Sequence, residues 1–217
     1  MMKTLFCVAV GGAFAIAIAQ ADAAPTRVET AVLADLNRFR ANPSAYVPVL
    51  SGYRARFEGK LLRGAEKGEI DIRTNEGPAA VDEAIRAIRS AKPLSQLQHS
   101  DLLARVAADH VSYQSRTGAT GHYTRGIGPG ERMALRGGQY RVSEVITYGH
   151  HSARGVVPQL LIDDGVPDRG HRVRLLRGDY RYAGVACGTH PTYRTMCVIL
   201  MSATPDGSAP VPTGRPD

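Results

Sequence analysis

Lysine is nearly missing from this sequence: of 27 Lys and Arg residues only four are lysines (Lys3, Lys60, Lys67 and Lys92), set against 20 Asp and Glu. The net charge of +7 is carried by scattered arginines, with no block of like charges and no aromatics interleaved among them. A nucleic-acid-binding chain gathers its cations on one face or in one run, so this pattern excludes nucleic acid as partner. It leaves a loose attraction to anionic polymers of the cell envelope. The common enzyme signatures are missing too: there is no His-Glu-x-x-His, no Gly-x-Ser-x-Gly and no phosphate loop. Gly126-Ile-Gly128-Pro-Gly130 lacks the preceding strand and the third spaced glycine of a dinucleotide turn and reads as a plain loop.

Long hydrophobic runs are absent except for one. Leu5 to Ala19 is uncharged, follows Met1-Met2-Lys3, and closes on the small-x-small triplet Ala21-Asp22-Ala23. About 20 apolar residues are needed to span a bilayer; this run is shorter and ends in a cleavage site, so residues 1–23 read as a secretory signal peptide. The expected product is secreted or periplasmic, has no transmembrane segment after signal removal, and has the size of one domain.

Cysteine is equally sparse. Cys7 leaves with the signal, and Cys187 and Cys197 remain in a compartment where disulfides persist. Residues 182–188 and 194–202 read as the arms of a hairpin around a loop containing Pro191. Pairing those arms about residue 192 sets the two cysteines opposite each other, which favours a bridge over two reduced core thiols.

What is present is a set of amphipathic helices and one apolar hairpin. Apolar positions at helical spacing predict helices over Val28–Phe39, Ala45–Leu50, the stretch after Pro78, and Leu102–Val111, the last opened by Ser100 and released at Gly118. Val142–Tyr148 is a strand candidate, Val156–Ile162 a helix with Pro158 in its first turn, and Gly170–Leu176 a helical turn. Residues 51–77 read as an irregular insertion, and the Pro- and Gly-rich stretch 204–217 as a disordered tail. Both hairpin arms are apolar on both faces, so the sheet is covered on both sides. The fold expected is α+β, a three-layer α/β/α sandwich around a small antiparallel sheet.

Three polar residues stand out: His122 behind Gly121, Glu144 on the candidate strand, and His171 behind Gly170. Two imidazoles and a carboxylate with an open fourth position are the donor set of a catalytic-type metal site for zinc or another divalent cation. The competing readings are loop histidines on the surface and a paired glutamate. His110 reads as a packed core histidine, His150 and His151 as surface residues, and Asp168–Arg169 as an ion pair fixing the loop before His171. Arg172 offers either an anion contact or a pair with Asp163, Asp164 or Asp168.

The ordered set Leu-Asn-Arg-Phe-Arg-Ala (36–41), Gly121-His122, Glu144, Gly170-His171-Arg172 and the run from Tyr180 to Val185 resembles bacterial members of the CAP superfamily. That superfamily takes in cysteine-rich secretory proteins, insect venom antigens and plant pathogenesis-related proteins. The resemblance spans about residues 33–202, within a domain drawn at 28–203, and its most specific piece is 161–172 (Leu-Ile-Asp-Asp-Gly-Val-Pro-Asp-Arg-Gly-His-Arg). It implies a central cleft in which two histidines and two acids converge and can hold a divalent metal. His122, Glu144 and His171 match three of these positions; the fourth falls on Asp163 or Asp164, with Asp163 preferred. The chain departs from the family at Ser143-Glu144-Val145, where Gly-Glu-Asn is common. By resemblance the function is binding of a small molecule, lipid, glycan or peptide in that cleft. The alternatives are a metal-assisted peptide or ester hydrolase with Glu144 as ligand or general base, and a structural protein of the envelope.

Overall fold

A computed structural model describes residues 25–65, 69–150 and 152–210. The signal peptide expected at 1–23, His151 and the last part of the expected tail, 211–217, lie outside the described residues.

Helix α1 (Arg27–Ala41) opens on a capping box: Glu29 N donates to Thr26 Oγ1 at 3.3 Å and Thr26 N to the Glu29 carboxylate at 2.6 Å. A short 3-10 turn at Ser44–Tyr46 leads into α2 (Val47–Arg54), longer than the sequence pattern suggested. The insertion is not irregular throughout. It holds three two-residue strands, β1 (Phe57–Glu58), β2 (Leu61–Leu62) and β3 (Ile72–Arg73), paired antiparallel. Strands this short carry no readable alternation, which is why the pattern missed them. Helix α3 (Pro78–Arg89) starts with Pro at its first position, and α4 (Asp101–Thr117) runs from its Ser100 cap to Gly118 in the left-handed region.

The main sheet adds β4 (Gln98–His99), β5 (Ser143–Tyr148), β6 (Tyr182–His190) and β7 (Arg194–Ser202) in the order β4-β6-β7-β5. It is antiparallel except for β4, which lies parallel to β6 at one edge. The β6–β7 register puts Cys187 opposite Cys197, and the two form a disulfide. Between α4 and β5 comes α5 (Pro129–Leu135), and α6 (Ala153–Ile162) and α7 (Gly170–Leu175) separate β5 from β6.

Period-two burial on β7 divides the interior. Cys197, Ile199 and Met201 join α1, α3 and α6 in one core, with Leu36, Phe39, Ile88 and Leu161; Met196, Val198 and Leu200 join α4 and α5 in another, with Leu103, Val106 and Met133. The sheet is therefore the middle of a three-layer α/β/α sandwich. Gly184 on β6 permits the close approach of α4, because a Cβ there would meet Ala104 N at 2.0 Å.

Two further expectations need correcting. Pro158 lies inside α6 rather than in its first turn, where it forfeits one helical hydrogen bond. The described part of the tail, 204–210, is pinned rather than disordered: Gln139 N and Arg141 N donate to the carbonyls of Asp206 and Gly207 at 2.7 and 3.0 Å. Its proline and glycine content suits a turn as well as disorder, and the partners lie far back in the chain. Among the described residues no helix is long and apolar enough to cross a membrane.

Candidate functional site

His122 rides on the loop after α4, and three side chains fix that loop. His110 Nε2 and Gln114 Nε2 donate to the Gly121 carbonyl at 2.8 and 2.6 Å, and Gly121 N donates to Tyr148 Oη at 3.0 Å. Gly121 itself sits at φ +85°, a conformation that glycine adopts without a Cβ penalty. His110 is the packed core histidine expected: it is buried, its Nδ1 accepts from Thr124 Oγ1 at 2.7 Å, and burial pushes its pKa down, so the neutral ring is favoured.

The His122 side chain is 41 % exposed while Glu144, on β5, is 1 % exposed, and they meet at 3.0 Å between Nδ1 and Oε1. The other Glu144 oxygen accepts from Arg132 Nη2, and Arg132 Nη1 also donates to the His122 carbonyl at 2.7 Å. Arg132 is the residue that sequence reasoning missed. It stands on α5, where Pro129 at the first helical position and Glu131, whose carboxylate accepts from Gly128 N at 2.9 Å, mark a helix N-terminus inside a glycine-dense stretch.

The second half of the site comes from α6 and α7. Asp163 closes α6 in the left-handed region (φ +56°), and its carboxylate accepts from His171 N at 2.8 Å and from His171 Nδ1 at 2.6 Å. Asp164 points elsewhere and accepts from Asn75 N and Glu76 N at 2.6 and 2.8 Å, holding the end of the insertion. The two rings then face each other with centroids 6.4 Å apart. The site is thus two histidine–acid pairs, His122–Glu144 and His171–Asp163. A carboxylate accepts, so in each pair Nδ1 carries a proton, and Nε2 is the nitrogen turned away from the acid.

Both Glu144 oxygens are engaged, one by His122 and the other by Arg132. Among the described residues no group of three or more His, Cys, Asp or Glu side chains is placed to share a metal ion. The expected Asp168–Arg169 pair is also replaced: Arg169 reaches Glu76 at 2.6 Å and Glu83 at 2.5 Å, and Asp168 accepts from Gly170 N at 3.2 Å. Arg172 pairs with Glu83 and donates to the Leu161 carbonyl at 3.1 Å, so it serves neither an anion nor a neighbouring aspartate. His150, expected at the surface, is buried against Gly155, with Nε2 3.1 Å from Tyr53 Oη and Nδ1 3.6 Å from the Glu69 carboxylate. Its partners come from α2 and the insertion, elements distant in sequence.

The family model described as CAP, cysteine-rich secretory protein family, matches residues 83–201, which carry all four side chains of the two pairs. The chain belongs to the CAP family. Solved structures similar to it include an outer surface protein from Borrelia burgdorferi, 20 % identical, with a TM-score of 0.42, covering 50 % of this chain and 77 % of that one. Another is an extracellular SCP-domain protein from Bacillus anthracis, 18 % identical, with a TM-score of 0.41, covering 57 % of this chain and 37 % of the other. No curated protein matches the chain. Within this CAP domain the matched segment begins in α3 and ends in β7, so the insertion built on 57–73 precedes it.

Proposed function

We propose that this CAP domain is an exported binding protein whose cleft holds a divalent metal between His122 and His171 and takes a small ligand beside it. One observation carries the reading: both imidazoles have Nδ1 occupied by a buried carboxylate, and the rings lie 6.4 Å apart. A carboxylate behind each histidine fixes tautomer and ring orientation and raises the basicity of the outward nitrogen, as in metal sites generally. A ring centre stands about 3 Å from a metal on its nitrogen, so rings 6.4 Å apart lie at the outer limit for one ion, and binding would draw them together. Zinc or a similar cation would be held by His122 and His171, with Glu144 and Asp163 behind them, and would supply Lewis acidity at its open positions. This chain's own part is to hold the two imidazoles in register, with the Arg132 charge offset by Glu144.

The hydrolase alternative asked Glu144 to ligate or to act as general base. With one oxygen on His122 and the other on the Arg132 guanidinium it acts as the partner that orients His122, and binding is the better-supported reading. Zinc titrated into the purified domain at neutral pH is expected to raise the melting temperature, by mass action on the folded state. The shift should be lost in His122→Ala and in His171→Ala and should shrink as pH falls and protons compete for the imidazoles. An unchanged shift in both variants, or none in the parent, would overturn the metal site.

A further inference from the structure

Beside the histidine pairs the insertion closes a cavity of about 160 Å³, which His171 and Asp163 also line. A larger and more open pocket, of about 670 Å³, lies where residues 177–181 enter β6 and the pinned stretch 204–210 follows β7, and no histidine lines it. Three of the residues lining it are arginines, Arg141, Arg177 and Arg181, set against one carboxylate, Asp179. Arg40 adds a fourth positive charge behind the wall, donating to the carbonyls of Arg177 and Tyr180 at 3.0 and 3.4 Å. Burial first, and then the charge of Arg181, push the Arg40 pKa down to about 10, so these cations are close enough to repel one another.

How each guanidinium is engaged points to the missing partner. Arg38, Arg54, Arg136 and Arg177 each turn the Nε–Nη2 edge onto a carboxylate, those of Asp35, Asp82, Asp109 and Asp179. That edge is a fork whose two N–H groups match two oxygens of a carboxylate or a phosphate. Arg181 is held differently. Its Nη1 donates to the carbonyls of Gly178 and Tyr180 at 2.6 and 2.9 Å, which anchors the side chain, while among the described residues its Nε–Nη2 fork has no hydrogen-bond partner. The Arg141 side chain has none either among the described residues. Four guanidiniums against one carboxylate leave three positive charges uncompensated around the pocket. We infer that this pocket binds a ligand carrying two or more oxyanion groups, phosphate or carboxylate, one received side-on by the Arg181 fork and another by Arg141. Arg177 is already satisfied by Asp179 and shapes the wall. The site gives a place on the molecule to the attraction for anionic envelope polymers that the net charge of +7 implies. The inference does not depend on the metal reading, since no histidine lines the pocket.

Tripolyphosphate and tricarballylate carry several oxyanion groups of the two kinds, and acetate carries one. Titrated separately into the full chain by calorimetry at low salt with no metal added, at least one of the two oligoanions is expected to bind saturably and roughly tenfold or more tightly than acetate, and the better of the two names the preferred group. Arg181→Lys keeps the charge and removes the fork, so it is expected to weaken that binding roughly tenfold, the factor of one charge-assisted hydrogen bond. Arg116→Lys makes the same exchange on an exposed arginine outside the pocket and should leave the affinity unchanged. His122→Ala is expected to lose the zinc response and keep oligoanion binding, which separates failure of this site from failure of the metal site. Equal effects of Arg181→Lys and Arg116→Lys would reduce the binding to general positive charge and overturn the proposal. Saturable binding of neither oligoanion by the parent chain would overturn it as well, and that comparison needs no variant to fold.

Discussion

Removing the Arg132 guanidinium would strand a carboxylate, since Glu144 is 1 % exposed and, among the described residues, Arg132 is the partner of its second oxygen. Breaking a buried pair from one side costs about 3–5 kcal/mol, mostly as the penalty on the charge left behind. Arg132→Met is therefore expected to lower the unfolding free energy by about that amount, whereas Arg132→Met with Glu144→Leu should recover much of the loss; urea denaturation of the three proteins checks it, and equal stability would refute the pairing. Glu69 makes a different prediction. The His150 ring, 3.6 Å away, and Ala65 N, at 2.8 Å, hold its carboxyl down at about 2, below its ordinary 4.5. Because the folded value lies below the unfolded one, the stabilisation is present above about pH 4.5 and is lost as pH falls through 2. It amounts to about 3 kcal/mol at most. Glu69→Gln should flatten the acid limb of the stability profile between about pH 5 and 2, as read by thermal unfolding across pH; an unchanged limb would assign it to other carboxylates. Residue types singled out His122, Glu144 and His171 at the sequence level with surface-loop readings still open, and the resemblance to the CAP superfamily joined them and added Asp163. They did not carry Arg132, His110 or Tyr148 as the parts that aim His122, because hydrogen bonds across three elements leave no spacing to read.

At the scale of elements, helices and the hairpin were legible wherever a repeat of 3.6 or 2 ran long enough to show a face, as in α1, α4 and the β6–β7 arms. The loop-centred register even placed Cys187 against Cys197, as the structure has them. Reducing that bridge, which closes ten residues of separation, is expected to cost about 2–3 kcal/mol on the loop-entropy account. Denaturation with and without a phosphine reductant measures it, and Cys187→Ala with Cys197→Ala should match the reduced protein. The two-residue strands and the pinned stretch 204–210 were not legible, since their order comes from partners elsewhere. Arg40 belongs with them. Among the described residues this arginine of α1 is buried with no carboxylate in ion-pair contact, and it donates to the carbonyls of Ser95, Leu175 and Arg177 at 3.0, 2.8 and 3.0 Å. Two of these close the C-terminus of α7, where a cation also meets the negative end of the helix dipole. Burial lowers its pKa to about 10, so it stays charged at neutral pH. One guanidinium thus ties the first helix to the element that carries His171.

Across the whole molecule, the histidine pairs, the cavity and the insertion are joined by a web of charge centred on Arg169. Its guanidinium contacts Glu76 at the end of the insertion and Glu83 on α3, and it donates to the Asp163 carbonyl at 2.9 Å, while Arg172 on α7 shares Glu83. The carboxylates are more than a third exposed, so the ion pairs themselves contribute modestly. Their effect is geometric, because three segments distant in sequence are held against the loop that presents His171. Arg169 also occupies the left-handed region, with φ +51°. Arg169→Met removes the contacts and leaves the backbone demand as it is, since arginine and methionine meet the same Cβ penalty at that φ, so its effect is loss of the web. In Arg169→Met amide exchange is expected to rise together in 163–171 and in 74–77, and zinc affinity to fall roughly tenfold as His171 loses its fixed orientation. Faster exchange confined to 163–171, with zinc affinity unchanged, would mean that the insertion is coupled to the site only through the cavity wall.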